Sequence, residues 1–367
     1  MQITISRNIL AGALSELAPL ASKKTALMIL SNVKFVTKGN KIRLQTSDAE
    51  TSIRKYVDAE NIDQDGSFLV DCVSLTTFVN KVKGDNLTLT LDENTLTVKH
   101  DKGKAEFQTL PADDFPEAKT DGEATEVVIP APALENFVAV ASNFVSDDDY
   151  RPQMKPIRAI VKGSTLTVCA TDTRVLFKDA VALADCAQEV EWFIEQSAFS
   201  SLLKSCKGQE NVIVRVSPQN VSYRIGATTI FTQQTEGKFP DFNRVIPASH
   251  LIEVTFNKSE AGEAVQRAML FTEESRLAKI VVSPITMEVN AQNLAKISKA
   301  IETLACKSNT EITFGVNATK FVDCIKACGA SDVRMELSDA SRPIVFKDSN
   351  NPNRVVLCMP MTLVNPQ

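Results

Sequence analysis

The chain has 367 residues, of which 44% are hydrophobic, 23% charged and 6% aromatic, a composition typical of a soluble globular protein of two or three domains. Its 45 acidic and 40 basic residues give a net charge of −5, which argues against a protein whose affinity for nucleic acid depends on net positive charge. No stretch approaches the roughly 18 consecutive apolar residues of a membrane span, and the first residues do not resemble a secretory signal. We therefore expect a cytoplasmic protein without a membrane segment.

The first clear periodicity is a short strand followed by an amphipathic helix at residues 68–82. Three consecutive apolar residues, Phe68–Val70, precede Asp71, and apolar residues then recur at helical spacing, as at Leu75 and Val79. Asp71 occupies the N-cap position of the predicted helix, where aspartate is a favoured residue. Apolar residues two apart at 87–98 predict a hairpin with one buried and one exposed face.

This strand and helix recur twice along the chain. Shifted by 124 residues the segment falls on 192–206, and shifted by a further 122 it falls on 314–328, with the apolar residues in register. Asn317 is again a good N-cap, whereas Glu195 at the equivalent point is a poorer one. The register holds over many positions, so we infer a threefold internal repeat.

Each repeat has the same predicted order of elements: strand, helix, several antiparallel strands, strand, helix and more strands. Further alternating hairpins are expected at 212–225 and 333–346. Because two helices per repeat can form one layer on a sheet, the predicted fold class is α+β, with three repeated domains. The predicted domains are 1–120, 125–248 and 251–367, and the predicted linkers are 117–125 and 247–250.

Sequence motifs typical of enzymes are missing. The chain has no GxxxxGK phosphate loop, no GxGxxG after a strand and no GxSxG nucleophile elbow. His100 and His250 lack the spacing of a zinc site. Asp147, Asp148 and Asp149 do not have the spacing of an EF-hand, so a solvated loop is the simpler interpretation. We expect no enzyme activity, no metal and no cofactor.

Two other residue types point to structure and not to chemistry. The eight cysteines are scattered through apolar segments without a CxxC pair, so buried thiols are expected, including Cys324 and Cys328 on one helix face. Asp48 and Asp172 occupy equivalent positions in two repeats. This recurrence favours a shared structural role, such as capping a turn, over catalysis.

Basic residues recur at matching positions of the repeats. Lysines near helix C-termini also complement the helix dipole, but their recurrence in three copies favours a shared surface that meets phosphates. The loop residues are Lys23, Lys24 and Arg151, and those at the ends of the second helices are Lys81, Lys83, Lys204, Lys207 and Lys326.

Six stretches of this sequence resemble the bacterial sliding clamp family, the beta subunit of the replicative DNA polymerase III holoenzyme. They span all three repeats and keep the order and overall length of that family. Two of these motifs are specific for the family when they occur together: FPDF followed by RVIP, and the terminal MPM. The stretches are LMILSN at 27–32, TSD at 46–48, LPADDFP at 110–116, TD at 171–172, GKFPDFNRVIP at 237–247 and MPM at 359–361.

The resemblance implies a DNA clamp fold and a non-enzymatic processivity factor. Two head-to-tail copies would form a homodimeric ring around double-stranded DNA, with helices lining the central hole and antiparallel sheets outside. A closed ring holds DNA by topology, which is compatible with an acidic chain. The implied partners are the replicative DNA polymerase, the clamp loader and repair proteins, which bind through short linear peptides, with the protein at the nucleoid during replication.

Three sets of residues follow from the resemblance. The partner-peptide cleft would comprise Met154, Thr171, Leu176, Pro240, Arg244, Val245, Pro343, Met359, Pro360 and Met361. The DNA contacts would be Lys23, Lys24, Arg151 and Gln153, with Lys81, Lys204, Lys207 and Lys326 facing the hole. The dimer interface would comprise Lys102, Lys104 and Phe107 on a strand at 99–107, with Leu270 and Phe271 from the other copy.

The chain departs from the family pattern at the rim of the cleft and in one segment of the third repeat. Thr173, Arg174 and Val175 stand where such clamps often have Gly-His-Arg, and Thr362 stands where a basic residue is common. These changes leave the preferred partner peptide open. At 294–302 the apolar spacing predicts a helix, whereas the resemblance implies a strand, which we follow.

Two other functions remain alternatives on the sequence alone. One is a three-domain hydrolase whose active site has no familiar motif, and the other is a repeat-built scaffold that never touches DNA. Retention on circular DNA with loss from linear DNA would distinguish a clamp from both.

Overall fold

The computed structural model describes residues 1–21, 27–118, 123–184 and 189–363. The chain forms two compact units, the first from Met1–Asn136 with Ser197–Gln234 and the second from Phe137–Gln196 with Thr235–Gln367. The second sequence repeat therefore contributes residues to both units. The division into three domains stays a prediction.

The helices and strands alternate as the repeat predicts. In chain order they are β1 (Gln2–Ser6), α1 (Arg7–Ala21), β2 (Asn32–Lys38), β3 (Lys41–Ser47), β4 (Thr51–Asp58), β5 (Asn61–Ile62), β6 (Ser67–Asp71), α2 (Cys72–Lys81), β7 (Asn86–Asp92), β8 (Thr95–His100), β9 (Gly103–Leu110), β10 (Thr125–Pro130), α3 (Ala131–Ala141), β11 (Ile157–Lys162), β12 (Thr165–Thr171), β13 (Val175–Ala182), β14 (Val190–Ile194), α4 (Phe199–Ser205), β15 (Asn211–Val216), β16 (Asn220–Ile225), β17 (Thr228–Gln233), β18 (Ile252–Asn257), α5 (Lys258–Met269), β19 (Leu277–Val282), β20 (Thr286–Asn293), β21 (Ser298–Ser308), β22 (Ile312–Asn317), α6 (Ala318–Ala327), β23 (Asp332–Leu337), β24 (Ile344–Asp348) and β25 (Asn351–Cys358).

The first unit contains one antiparallel sheet that passes from repeat one to repeat two. Its strand order is β10-β15-β16-β17-β4-β3-β2-β6-β9-β8-β7-β1-β5. The crossing lies between β4 and β17, where Ile53 is paired with Ile230. Helices α1 and α2 pack together in this unit, and α1 buries Leu10, Leu14 and Leu17 completely.

The second unit contains the equivalent sheet for repeats two and three. Its strand order is β14-β11-β12-β13-β25-β24-β23-β18-β21-β20-β19-β22. The crossing lies between β13 and β25, where Leu176 is paired with Leu357. Helices α5 and α6 pack together here. This crossing positions the closing residues of the chain beside β13.

The three predicted pairs of strand and helix are confirmed as β6 with α2, β14 with α4 and β22 with α6. Asp71 caps α2 by accepting from the Ser74 NH at 2.7 Å, and Asn317 caps α6 by accepting from the Lys320 NH at 3.1 Å. The Glu195 carboxylate instead accepts from the backbone NH and hydroxyl of Thr235 at 2.7 and 2.9 Å. A 3-10 turn at Gln196–Ala198 precedes α4, which has only seven residues.

The alternating hairpins are confirmed in all three repeats. They are the pairs β7 with β8, β15 with β16 and β23 with β24. In the last pair Met335 faces Phe346, and both side chains are completely buried. Period-2 alternation therefore identified strands whose inner faces form the core.

The helical spacing at 294–302 gave a wrong prediction, and the strand is correct from Ser298 onward. Residues 294–297 form a turn in which Ile297 has a positive φ of 52°. Strand β21 then pairs with β20, with Ala300 opposite Ala291. Leu294 and Ile297 are exposed by 68% and 95%. The apolar spacing gave the wrong element because Leu294 and Ile297 are exposed and do not form the buried face of a helix.

Candidate partner-binding cleft and DNA-facing residues

An apolar cluster in the second unit forms the base of the candidate cleft. Phe239 and Phe242 insert against a sheet face made by β11–β14 and β25, and the Phe193 and Phe239 rings lie 6.3 Å apart between centroids. These insertions fix the loop at residues 237–247 to the sheet. The buried members are Cys169, Leu176, Phe193, Phe239, Phe242 and Leu357, with Ile160, Ile246 and Met359 partly buried beside them.

The loop over this cluster exposes several of its other side chains, whereas Ile246 is partly buried. Asp241 caps a 3-10 turn at Phe242–Val245 by accepting from the Asn243 NH at 3.2 Å. The Arg244 guanidinium lies 3.1 Å from the Asp241 carboxylate, and its side chain is 85% exposed. Val245 is 47% exposed and Pro240 is exposed too. The loop thus combines an apolar surface with two exposed cations, Lys238 and Arg244.

The closing segment of the chain forms the other side of the cluster. The Met359 NH donates to the Arg174 carbonyl at 2.7 Å, and the Met361 NH donates to the Gly315 carbonyl at 2.7 Å. A Cβ on Gly315 would stand only 2.5 Å from the Met361 carbonyl oxygen. The close approach therefore requires glycine at position 315, and it holds half-buried methionines against the sheet.

The turn between β12 and β13 supports Arg174, which receives this hydrogen bond. The Asp172 carboxylate accepts from the backbone NH groups of Arg174 and Val175, each at 2.8 Å, and pairs with Lys320 at 2.8 Å. Thr173 has a φ of 77°. Asp48 makes the same kind of turn in the first unit, where it accepts from the Glu50 and Thr51 NH groups. The predicted capping role of both aspartates is confirmed.

The structure brings most of the predicted cleft residues to this region of the second unit. Leu176 and Met359 belong to the cluster, whereas Met154 and Thr171 are buried but are not members of it. The Thr171 hydroxyl donates to the Val175 carbonyl at 2.7 Å. Pro343 lines a separate cavity of about 210 Å³ together with His250 and Glu336. Their role in binding stays a prediction.

A basic pocket beside the cluster was missed by sequence reasoning. It has a volume of about 650 Å³, and Phe239 and Phe242 form part of its wall. The signal for it was available, since Arg158 and Lys178 fall on Lys34 and Arg54 of the first repeat at the offset of 124. Its basic residues are Arg158, Lys162, Lys178 and Lys238.

The predicted DNA-facing lysines are exposed at helix ends. Lys81, Lys204 and Lys326 lie in the last turns of α2, α4 and α6, and Lys207 follows α4. At the offset of 122 Lys204 falls on Lys326, whereas at the offset of 124 Lys81 falls on Ser205, one position beyond Lys204. Contact with DNA stays a prediction for each of them.

The predicted loop contacts are described only in part. Lys23 and Lys24 lie outside the described residues. Arg151 is exposed and lies 3.7 Å from the Asp148 carboxylate, and Gln153 is half-buried. Lys155 pairs with Asp149 in the same loop. Two members of the aspartate run, Asp148 and Asp149, are therefore paired with neighbouring cations.

Two strand edges coincide with the predicted dimer residues. In the first unit β9 pairs with β8 through residues 103–108 and with β6 only at its last two residues. In the second unit β21 pairs with β20 along 298–305 and with β18 only from Cys306. Among the described residues, both stretches thus keep an edge without a strand partner. Lys102 and Lys104 are exposed, and Phe107 makes an edge-to-face contact with Phe78. Leu270 is 79% exposed and Phe271 is half-buried.

The described cysteines are all buried free thiols, as predicted, and Cys186 lies outside the described residues. Burial raises the pKa of Cys72, Cys169, Cys206 and Cys328 to about 12. These thiols therefore stay protonated at neutral pH and are poor nucleophiles. No helix in the described ranges is long and apolar enough to span a membrane.

The architecture is that of the DNA clamp fold, an α+β class. The structure is similar to the crystal structure of the DNA polymerase III subunit beta from Pseudomonas aeruginosa, with a TM-score of 0.92, 24% identity and coverage of 99% of this chain and 100% of that one. It is also similar to a Caulobacter crescentus beta sliding clamp, with a TM-score of 0.91, 22% identity and coverage of 99% of each chain. The predicted fold class is confirmed.

Sequence comparison identifies the family. The model of the DNA polymerase III beta subunit N-terminal domain matches residues 1–119, and that of the C-terminal domain matches residues 243–362. The beta sliding clamp of Bacillus subtilis is 23% identical over 376 residues, covering 98% of this chain and 99% of that protein. The Pseudomonas aeruginosa clamp is 24% identical over 367 residues, covering 99% and 100%.

The chain belongs to the DNA polymerase III beta subunit family, the bacterial sliding clamps. It is a processivity clamp for replication and not an enzyme, which excludes the hydrolase alternative.

Proposed function

We propose that this clamp works in the cytoplasm as a homodimeric ring around duplex DNA and captures short peptides in the cleft of the second unit. The peptides would come from the replicative polymerase, the clamp loader and repair proteins. The cleft residues would be Met154, Thr171, Leu176, Pro240, Arg244, Val245, Pro343, Met359, Pro360 and Met361.

The observation that carries the peptide site is the placement of the closing segment. Met359 packs on the buried cluster while its NH is fixed to Arg174, so an adaptable side chain remains half-exposed on a rigid base. Methionine suits a groove that accepts several related ligands, because its side chain is flexible and polarizable. Val245 and Pro240 extend the apolar surface, and Arg244 can hold a polar group of the peptide.

The proposed hold on DNA is topological, with weak contacts to phosphates. Lys81, Lys204 and Lys326 lie in the last turns of their helices, so each repeat would offer a cation to the backbone. Each phosphate contact adds about 0.9 to the slope of log affinity against log salt concentration. A net charge of −5 is compatible with sliding, since the ring does not need strong attraction to stay on DNA.

The proposed ring closes by strand addition between two copies. The edge of β9 at 103–108 would pair with the edge of β21 at 298–305 of the partner copy, because exposed strand edges are templates for pairing. Leu270 would be buried by this contact. Two such interfaces of the head-to-tail type would close a dimer.

Calorimetric titration with griselimycin tests the cleft. This ligand is bound in a crystal structure of the Pseudomonas aeruginosa clamp, which has a TM-score of 0.93 to this structure. We expect Met359→Ala to weaken binding about tenfold, since it removes an apolar contact worth roughly 1.4 kcal/mol. The matched control is Met28→Ala, because Met28 is 86% exposed and lies in the first unit. Equal affinities for wild type and Met359→Ala would sink the cleft assignment.

A further inference from the structure

The first unit contains a carboxylate held by three cations that share one face of its sheet. Glu117 lies 2.8 Å from the Lys34 ammonium, 3.0 Å from the Arg43 guanidinium and 3.2 Å from that of Arg54. Burial disfavours its ionisation, but the hydrogen bond from Lys34 and the charges of the three cations outweigh this and lower the pKa of Glu117. The three cations thus form an anion-binding site that is occupied by the chain's own carboxylate, Glu117.

The second unit repeats the cationic part of that site. At the offset of 124, Lys34 becomes Arg158 and Arg54 becomes Lys178, while Arg43 is replaced by Thr167. The ring contact is repeated too. Lys34 lies 6.0 Å from the centroid of Phe115, and the Arg158 guanidinium lies 5.6 Å from that of Phe239, which is equivalent to Phe115.

The second unit does not repeat the carboxylate in the same place. Asp241 is equivalent to Glu117, but its side chain is one methylene shorter. Its carboxylate pairs with Arg244 at 3.1 Å and accepts from the Asn243 NH at 3.2 Å. The group that fills the first site is thus engaged within its own loop in the second.

Four cations and the carboxylates of Glu191 and Asp241 line the pocket, which leaves a formal excess of two positive charges. Arg158 pairs with Glu191 through two hydrogen bonds of 2.7 Å. In the described parts of the chain, no carboxylate oxygen lies within 4.0 Å of the ammonium groups of Lys162, Lys178 or Lys238. Lys178 is half-buried, with its ammonium 5.6 Å from the Phe242 ring centroid. A partly desolvated cation beside an aromatic wall favours an incoming anion.

The pocket borders the apolar cluster at the base of the proposed cleft. Phe239 and Phe242 form its wall and belong to the same cluster as Leu176 and Met359. A peptide seated on the exposed side of that cluster would therefore have its flanking residues within reach of Lys178.

We propose that the basic pocket formed by Arg158, Lys162, Lys178 and Lys238 binds a carboxylate side chain from an acidic segment of the partner protein, next to the part that enters the cleft. This inference rests on the proposed function of the cleft. A carboxylate is favoured as the ligand because Glu117 occupies the equivalent site of the first unit. The pocket would select partners whose apolar anchor is flanked by Asp or Glu.

Fluorescence anisotropy with fluorescein-labelled hexaglutamate tests the pocket on the full-length protein. Hexaglutamate should bind and hexaglutamine should not. Lys178→Met should weaken hexaglutamate binding at least about fivefold, whereas the control Lys307→Met, on an exposed part of β21, should match wild type. Equal binding by wild type and Lys178→Met would overturn the proposal.

A second pair of variants fills the pocket from within. Thr167 lines the pocket, so Thr167→Glu should supply the missing carboxylate and abolish hexaglutamate binding, while Thr167→Gln should retain it. Retained binding by Thr167→Glu, with an unchanged thermal melt, would contradict the proposal. If single-stranded DNA displaces hexaglutamate at lower concentration with the same dependence on Lys178, the pocket is a phosphate site and the proposal is wrong.

Griselimycin binding to the same proteins separates this proposal from that of the cleft. The Lys178→Met variant should bind griselimycin with the affinity of wild type but should bind hexaglutamate more weakly. Loss of griselimycin binding by Met359→Ala without loss of hexaglutamate would support both sites. Griselimycin binding that is insensitive to Met359→Ala, with hexaglutamate binding that depends on Lys178, would refute the cleft and leave the pocket standing.

Discussion

The backbone NH of Met361 donates to the carbonyl of Gly315 at 2.7 Å, and this contact ties the closing segment of the chain to β22. The approach is so close that a Cβ on Gly315 would lie 2.5 Å from the Met361 carbonyl oxygen and 2.9 Å from Leu363. Backbone cannot yield as a flexible side chain can, so any larger residue at 315 must displace the segment. The proposed cleft therefore depends on a residue that need not touch the ligand.

We expect Gly315→Ala to weaken griselimycin binding about tenfold or more, because the displaced segment carries Met359 and Met361 out of position. Gly262→Ala is the control, since Gly262 lies in α5 of the same unit and a Cβ there meets nothing within 4 Å. Calorimetric titration measures both. Unchanged affinity for Gly315→Ala would show that the segment does not form the cleft.

Leu270→Lys should dissociate the dimer. The substitution places a charge in a contact that would otherwise bury an apolar side chain worth roughly 1.5–3 kcal/mol. Leu251→Lys is closely matched, because Leu251 is 77% exposed and Leu270 is 79% exposed. Sedimentation equilibrium at micromolar concentration should give a monomer mass for Leu270→Lys and a dimer mass for Leu251→Lys. A dimer in both cases would place the interface elsewhere.

A buried ion pair should dominate the stability of the second unit. Asp179 is completely buried and accepts from Arg354 at 2.8 and 2.7 Å, while Arg354 also donates to the Ala327 carbonyl at 2.7 Å. Arg354→Met should cost about 3–5 kcal/mol, because it leaves the Asp179 charge buried and unpaired.

Adding Asp179→Leu to Arg354→Met should recover part of that loss, since it removes the unpaired Asp179 charge. The buried Asp348 carboxylate, 3.7 Å from Arg354, keeps the backbone NH donors of Gly329 and Ala330. Urea unfolding followed by fluorescence reports on this unit, because the one tryptophan of the chain is the buried Trp192 of β14. A double variant no more stable than Arg354→Met would contradict the account.

Glu16 should make the first unit sensitive to acid. Its carboxylate pairs with Lys55 and accepts from Ser205 at 2.7 Å and Thr228 at 2.9 Å. Burial raises its pKa, but the hydrogen bond from Lys55 and the remaining partners prevail, so the pKa lies below the ordinary value of 4.5. The stabilisation is therefore complete above about pH 4.5 and is lost as the pH falls through the lower folded-state pKa.

Glu16→Gln should remove this part of the acid dependence and should cost about 1–3 kcal/mol at neutral pH, because Lys55 loses its partner. Thermal melts followed by circular dichroism from neutral pH to below pH 4 measure it. Glu126→Gln, on an exposed position of β10, is the control. If the melting temperatures of wild type and Glu16→Gln fall in parallel on acidification, this role for Glu16 is refuted.

Local periodicity predicted the elements well where one face is buried. The pairs of strand and helix and the hairpins followed from apolar spacing at residues such as Leu75, Val79 and Met335, since these positions form the core in each repeat. The capping aspartates at 48 and 172 were predictable because short carboxylates close tight turns. The resemblance, and not the spacing, gave the strand after Ser298.

Contacts between distant parts of the chain could not be predicted in this way. The pairing of β4 with β17 and of β13 with β25 joins residues more than a hundred positions apart, and no local pattern encodes it. The Gly315 contact is of the same kind. The basic pocket was hidden for another reason: the repeat predicts its cations, but only the structure shows that Asp241 turns to Arg244.

Encirclement of DNA is the central claim, and retention on circular DNA tests it most directly. The labelled dimer, loaded onto nicked circular DNA by the clamp loader of its own source, should remain bound at high salt and leave rapidly once a restriction enzyme linearises the circle. A topological link predicts this difference, because weak phosphate contacts alone are lost as salt rises. Equal rates of loss from the circle before and after linearisation would contradict the account.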